Sequence, residues 1–292
     1  MGAKKKPVTI VGLGPMGRAM THAYLDRGHQ VTVWNRTAGR ADEVVAAGAV
    51  RADGVADALA AGELVILSLT DYDAMYAILE PASAALSGRV LVNLSSDTPG
   101  RAREAAEWAA GHGARFLAGG VLTPPSGIGQ PTAATFYSGP EEVFTAYEDT
   151  LKVLTGTDYR GADPGLAPLH YQIHMDMFWT TMASWLHALA LAGAHGISAE
   201  EVMPYAADAT SIQQFLAFYT PRIDAGAHPG DVDRLTMGTA SVEHVLHTTR
   251  DAGVDTALPE ALLGVFRRGV AAGHGDDSFT SLLEVFRERE AA

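Results

Sequence analysis

An apolar run from Val8 to Val11 passes without a break into Gly12-Leu13-Gly14-Pro15-Met16-Gly17, and few folds can house that junction. A short strand that enters three spaced glycines and leaves on a helical pattern builds a tight strand–turn–helix unit. Gly12 permits the turn, Gly14 lets the backbone approach a pyrophosphate, and Gly17 lets the helix pack closely on the strand. The helix start then presents free amide donors and the positive end of its dipole to phosphate groups. All six loop residues are therefore expected to border a bound dinucleotide.

The first half of the chain repeats the alternation that such a unit requires. Further strands are expected at Val31–Trp34, Leu64–Leu69, Val90–Leu94, Arg115–Ala118 and Ala133–Ser138. Helical patterns lie between them at Met16–Arg27, Ala38–Ala47, Ala74–Leu79, Pro99–Ala110 and Glu141–Val153. Asp97 or Thr98 can cap the helix that begins at Pro99. The alternation predicts a parallel sheet wrapped by helices. Beyond it, residues 166–195 form one long, nearly uncharged helical pattern, followed by amphipathic helices broken at Gly196, Pro204, Pro221, Gly226–Gly230, Gly253 and Gly273–Gly275. The turn-rich run Gly161-Ala162-Asp163-Pro164-Gly165 divides the two halves. The expected architecture is α/β: a Rossmann dinucleotide-binding domain over residues 1–163, then a long interdomain helix and an all-α domain over residues 164–292. A chain of 292 residues suits two domains.

About 20 residues past the loop, where an NAD-preferring site carries an acid for the ribose hydroxyls, this chain has Asn35-Arg36-Thr37, with Arg40 one turn on. A guanidinium can clamp the additional phosphate of NADP bidentately, and Asn and Thr can add hydrogen bonds. The alternative is that Arg36 is an ordinary surface charge. NADP(H) is the expected cofactor. Leu69, Thr70, Asn93 and Ser95, at the ends of two further strands, are expected to approach it, because ligands collect at the carboxyl ends of parallel strands.

Charge and composition exclude several other classes. The formal net charge is −13, from 34 acidic and 21 basic side chains, which disfavours nucleic acids and anionic membranes. There is no cysteine, so disulfides and thiolate chemistry are absent. Met177 to Ala199 lacks Asp, Glu, Lys and Arg but is interrupted by His, Ser, Thr and Gly. It reads as a helix buried between domains or at a subunit interface rather than a membrane span. Lys4 to Lys6 precede too short an apolar run for a secretory signal and read as a solvated tail, so a cytoplasmic protein is expected. His244 and His247 are spaced for a metal, but no third ligand has matching spacing. No metal is expected.

The motifs together resemble the β-hydroxyacid dehydrogenase superfamily, which includes the 3-hydroxyisobutyrate dehydrogenases, and within it the imine reductases. The residues that carry the resemblance are the glycine loop, Asn35-Arg36-Thr37, Val92-Asn93-Leu94-Ser95-Ser96-Asp97-Thr98-Pro99, Leu122-Thr123-Pro124-Pro125, Gly165 through Tyr171, and His274-Gly275-Asp276-Asp277-Ser278-Phe279. In the hydroxyacid enzymes a catalytic lysine follows a glycine pair, and here that position holds Tyr171. Their carboxylate-binding serine–glycine–glycine turn corresponds to Leu122-Thr123-Pro124. Both groups that a hydroxyacid needs are replaced. A protonated imine already carries the positive charge that a ketone lacks, so a neutral phenol suits it better than an ammonium.

The resemblance implies an NADPH-dependent imine reductase of the tyrosine type with a 6-phosphogluconate dehydrogenase-like C-terminal domain. Tyr171 would orient or protonate the nitrogen of an imine, or of one formed from an amine and a carbonyl compound. Asn93 would lie beside the nicotinamide and the substrate, unless it serves only to form the turn before Ser95. Leu122, Thr123, Met175, Phe178, Trp179, Met237 and His244 are expected in the substrate pocket. Tyr171, His174, Met175, Phe178, Met182 and Trp185 share one helical face, which reads as a pocket wall or as packed core; a packed helix histidine is the simpler reading of His244. The family implies an intertwined homodimer with its active site between subunits. Two other readings stay open: a 3-hydroxyacid or ketone dehydrogenase with a diverged site, and a non-catalytic NADPH-binding protein.

Overall fold

The structure, a computed structural model, describes residues 5–288. In chain order the elements of the first half are β1 (Val8–Val11), α1 (Pro15–Asp26), β2 (Val31–Trp34), α2 (Asp42–Ala46), β3 (Val50–Arg51), α3 (Val55–Ala60), β4 (Leu64–Leu67), α4 (Tyr72–Leu79), β5 (Val90–Asn93), α5 (Pro99–Gly111), β6 (Arg115–Val121), β7 (Ala134–Ser138), α6 (Glu141–Leu151) and β8 (Gly156–Tyr159). Helices follow: α7 (Leu166–Ala194), α8 (Ala199–Ala209), α9 (Gln213–Asp224), α10 (Leu235–Asp251), α11 (Ala257–Gly269) and α12 (Leu282–Arg287).

The strands form one sheet in the order β3-β2-β1-β4-β5-β6-β7-β8, with only the β6–β7 pair antiparallel. This is the expected Rossmann-like domain. Its central strands are buried on both faces, which explains their unbroken apolar runs. Ile10, Val33, Ile66 and Val92 pack on one side with Met20 and Tyr24 of α1, while Val11, Val65 and Leu91 pack on the other with Met75, Leu79, Ala102 and Ala105.

The expected elements are present with shifted ends, and three short ones went unread. β3 has two residues, both exposed, β8 reads Gly-Thr-Asp-Tyr, and α3 is six residues long. Such edge and connector pieces carry no apolar period of their own. The Ala38–Ala47 pattern divides into a 3₁₀ turn, Ala38–Ala41, and α2. Thr98 rather than Asp97 caps α5, accepting from the Arg101 amide. Pro204 and Pro221 do not end helices; they lie inside α8 and α9. Proline's fixed φ is helical, and each ring removes one backbone bond without stopping the remaining turns. Lys4 lies outside the described residues, and Lys6, two positions on, is not a free tail residue. Its Nζ donates to the Ala146 carbonyl at 2.6 Å and stands 3.9 Å from the Tyr147 ring centre.

The chain divides into two compact units, Met1–Asp176 and Met177–Ala292. The first turns of α7 belong with the sheet because they pack on its last strands. The Ala167 amide donates to Ser138 Oγ at 2.9 Å, and the His170 ring lies 5.6 Å from that of Phe136. In the second unit Leu235, Leu282 and Val285 form a small core with Val265, Phe266 and Val270. Asp233 ties it together, accepting from Tyr219 Oη, Ser278 Oγ and the Phe279 amide. Burial, and the bond to Asp233, push the Tyr219 phenol up to about 12.

The expectation that α7 is buried is not met within this chain: Ala167 and Pro168 are its only buried residues. Trp179 is 64% exposed, Leu186 58% and Tyr205 of α8 77%. The stripe from Tyr171 to Trp185 is therefore not packed core here, nor is His244 a packed histidine, since it is exposed on α10. Among the described residues no helix is long and apolar enough to cross a membrane.

Candidate active site

The glycine loop closes with each glycine under a different steric demand. Gly12 has φ +99°, and a methyl on it would come within 2.2 Å of the Ser68 carbonyl oxygen. A methyl on Gly17 would meet the Gly12 carbonyl at 1.9 Å, so helix and turn interlock only without side chains. Around Gly14 there is nothing within 4 Å, which leaves the approach that a pyrophosphate needs. Gly14 is also the N-cap of α1, and no side chain caps it, with Pro15 in the first turn. The helix start thus keeps its donors for an anion.

A cavity of about 430 Å³ runs from this loop along the ends of β1, β2 and β4. Gly12 to Met16, Asn35, Arg36, Thr37, Arg40, Leu69 and Thr70 all line it. Gly17 does not, being packed beneath the turn. Arg36 and Arg40 are exposed, and neither takes an ion pair among the described residues. Asn35 behaves differently. Its Oδ1 accepts the Leu13 amide at 2.9 Å and its Nδ2 donates to the Thr37 carbonyl at 2.9 Å. The amide group thereby joins the loop to the end of β2. Sequence reasoning missed Trp34, Ser68, Ala74 and Ile78 in this lining. The last two share a face of α4 at a spacing of four, a signal that was readable.

A second cavity, about 200 Å³, continues from the first and shares Met16, Ser68, Leu69 and Thr70 with it. Its further walls are Leu94 to Asp97, Gly119 to Val121, Pro168 and Tyr171. Tyr171 thus stands at the end of the groove that begins at the glycine loop. A methyl on Gly120 would lie 2.6 Å from Tyr171 Cβ, so the glycine is what lets α7 approach β6 there. Gln172 Nε2 donates to the Asp97 carbonyl at 3.2 Å, tying the same helical turn to the loop after β5. Ser95 Oγ accepts the Leu69 amide at 3.1 Å, joining the loops after β4 and β5.

Not every expected substrate residue lies at this cavity. Asn93 is fully buried; its Oδ1 accepts the Ser95 amide at 2.9 Å and its Nδ2 faces Met75 Sδ at 3.4 Å. Its side chain forms the turn that presents Ser95 and Ser96, and it lines neither cavity. The Ser95 peptide after β5 and the Met75 thioether of α4 are its partners there. Leu122 and Thr123 also fall outside the lining: the Leu122 amide is held by the Ala134 carbonyl at 3.0 Å, and Thr123 packs over Gly127. Met175 is half-buried on α7 and not in the lining. Phe178, Trp179, Met237 and His244 belong to the second unit, where all four are exposed. Among the described residues no group of three or more His, Asp or Glu is placed to hold a metal ion.

The groove fits a dinucleotide with an added phosphate: an uncapped helix start, open space at Gly14 and two arginines without an ion pair among the described residues line one continuous path. Comparison with known proteins points the same way. Residues 7–161 match the family model of the NAD binding domain of 6-phosphogluconate dehydrogenase, and residues 163–288 that of the NADPH-dependent reductive aminase-like C-terminal domain. An imine reductase from Bacillus cereus superposes with a TM-score of 0.89 at 61% identity, over 98% of this chain and 100% of its own. The NADPH-dependent reductive aminase of Aspergillus oryzae is 30% identical over 97% of both chains. A reductive aminase from Aspergillus terreus, solved in complex with NADPH and ethyl-5-oxohexanoate, has a TM-score of 0.93 at 35% identity, over 97% of this chain and 100% of its own.

Proposed function

The chain belongs to the imine reductase and reductive aminase family of NADPH-dependent oxidoreductases, and on that premise we propose that Tyr171 orients or protonates the substrate nitrogen as an imine is reduced to an amine. The observation that carries this reading is the placement of Tyr171 at the far end of the groove that starts at the glycine loop. Bound NADPH supplies the hydride. The loop backbone and the start of α1 hold the pyrophosphate, while Arg36, Arg40 and Thr37 take the additional phosphate by charge-assisted hydrogen bonds. The Tyr171 hydroxyl can donate to an imine nitrogen or accept from an iminium N–H, and either fixes the carbon that receives hydride.

We assign residues 1–163 to cofactor binding and residues 164–292 to dimerisation and the substrate pocket. The uncovered apolar surface of α7 and α8 supports an intertwined homodimer, because such surface on a stable protein is normally covered. In that arrangement Phe178, Trp179, Met237 and His244 complete the pocket around an imine, or around an amine and a carbonyl compound, in the cytoplasm.

The test is NADPH consumption by purified protein offered a cyclic imine, and separately NADP+ reduction with a 3-hydroxy acid. Turnover of the imine alone is expected. Oxidation of the hydroxy acid alone would overturn the reading, and silence on both would favour a protein that binds NADPH without chemistry.

A further inference from the structure

We propose that Asp97 makes the site selective for substrates that carry positive charge at nitrogen, the iminium ion above all, over neutral and anionic carbonyl compounds. The inference rests on the assignment of the cavity beside Tyr171 as the substrate site. Of the residues that line that cavity, Asp97 is the one with a formally charged side chain. It is also held firmly. Oδ1 accepts the Thr98 amide at 2.7 Å, Oδ2 accepts the Tyr72 amide at 3.3 Å, and the Asp97 carbonyl accepts from Gln172 at 3.2 Å. Gln172 adjoins Tyr171, so carboxylate and phenol are carried by parts of one wall.

A nearby cation could cancel the charge, and Arg101 is the candidate, with Nε 3.9 Å from the Asp97 carboxylate. Arg101 is shared, however. It pairs more closely with Asp73, and also with Glu104 at 3.5 Å. One guanidinium among three carboxylates leaves the cluster negative. Such a fixed charge beside a confined cavity favours a cation and opposes a carboxylate. Compared with the lysine that the resemblance to hydroxyacid dehydrogenases puts at the position of Tyr171, the site has a neutral phenol in place of a cation and a carboxylate among the residues of the same cavity. Positive charge on the substrate nitrogen, which makes its carbon electrophilic, is then stabilised by the protein rather than repelled.

The experiment is equilibrium binding to the NADPH complex of two small probes that cannot accept hydride: N,N-dimethylpiperidinium, permanently cationic, and the neutral lactam N-methyl-2-piperidone. Turnover is not read, so a failure of the imine reductase reading is seen separately in the NADPH assay. In Asp97→Asn the cation should bind about fivefold more weakly at low salt, the upper range for a partly exposed charge pair. The lactam should bind unchanged, and the difference should shrink as salt rises. Asp97→Glu keeps the charge and should keep most of the preference. Equal loss of both probes, no change in either, or a Glu variant as weak as the Asn variant would overturn the proposal. Retained NADPH affinity in each variant verifies the fold.

Discussion

The Asn35 side-chain carbonyl accepts the Leu13 backbone amide at 2.9 Å, so the end of β2 and the glycine turn after β1 are held as one piece. The other half of the same amide holds the Thr37 carbonyl. Through these two bonds Asn35 shapes the groove that any dinucleotide would enter. Asn35→Ala should weaken NADPH and NADH by similar factors, about tenfold for two lost neutral hydrogen bonds. Fluorescence titration with both cofactors measures it. A loss confined to NADPH would place Asn35 on the phosphate instead.

The arginines should behave in the opposite way. Arg36 and Arg40 line the cavity exposed and without an ion pair among the described residues. Arg36→Ala or Arg40→Ala should raise the Kd for NADPH roughly 10- to 100-fold, the range for charge-assisted contacts, with NADH unaffected. Equal losses for both cofactors would show that the arginines support the loop rather than select the phosphate.

Tyr171→Phe removes one hydroxyl and keeps the ring that packs against Gly120. If that hydroxyl acts on the substrate nitrogen, kcat for a cyclic imine should fall about 100-fold while the Kd for NADPH stays constant. Unchanged kcat would remove Tyr171 from the chemistry.

Gly120→Ala offers an independent test of Tyr171 from the other side of the contact. The added methyl, 2.6 Å from Tyr171 Cβ in the present geometry, must push α7 or the ring outward. We expect a folded protein with a lower Tm and kcat reduced at least tenfold. Combined with Tyr171→Phe, the two losses should not multiply, because both act through the same hydroxyl. Full multiplication would separate the two residues.

Asp163 accepts both Nε and Nη2 of Arg103, at 2.9 and 2.8 Å, just before α7 begins. The Arg103 hydrogen bonds, and next the Gly165 amide, hold its carboxyl below the ordinary aspartate range. A lowered value in the folded state means the unfolded chain binds the proton first, so this stabilisation is fully present above the usual aspartate pKa and is lost as pH falls through the lowered one. Asp163→Asn should cost about 1 kcal/mol near neutral pH. The gap to wild type should close in acid, as followed by denaturant melts between neutral pH and pH about 3. A gap that persists in acid would exclude the charge as its source.

Much of the site was legible because its signals are local. The Gly12–Gly17 loop, the bounds of β1 and β2, and the long helix from Leu166 depend on spacing within a few residues. Tyr171 was singled out by the family resemblance, and the structure places it in the lining of the second cavity. Trp34, Ser68, Ala74 and Ile78 carry no motif of their own, and only the fold brings them to the same cavity. Asn93 was assigned to the ligand from its place at a strand end. Whether a side chain there turns outward or into the turn depends on Ser95 and Met75, and the second of these lies on another element.

By itself the sequence determined the order of elements, the Gly12–Gly17 loop and the absence of an acid after β2. Each follows from residue type at short separation, where backbone geometry leaves few choices. Tertiary structure alone decided that Asn35 is engaged by Leu13, that Asn93 is buried, that Gly120 admits Tyr171 and that Asp97 stands in the same cavity. It also decided that α7 is uncovered within its own chain. These relations join residues from different elements, and only packing brings them within hydrogen-bonding or van der Waals range.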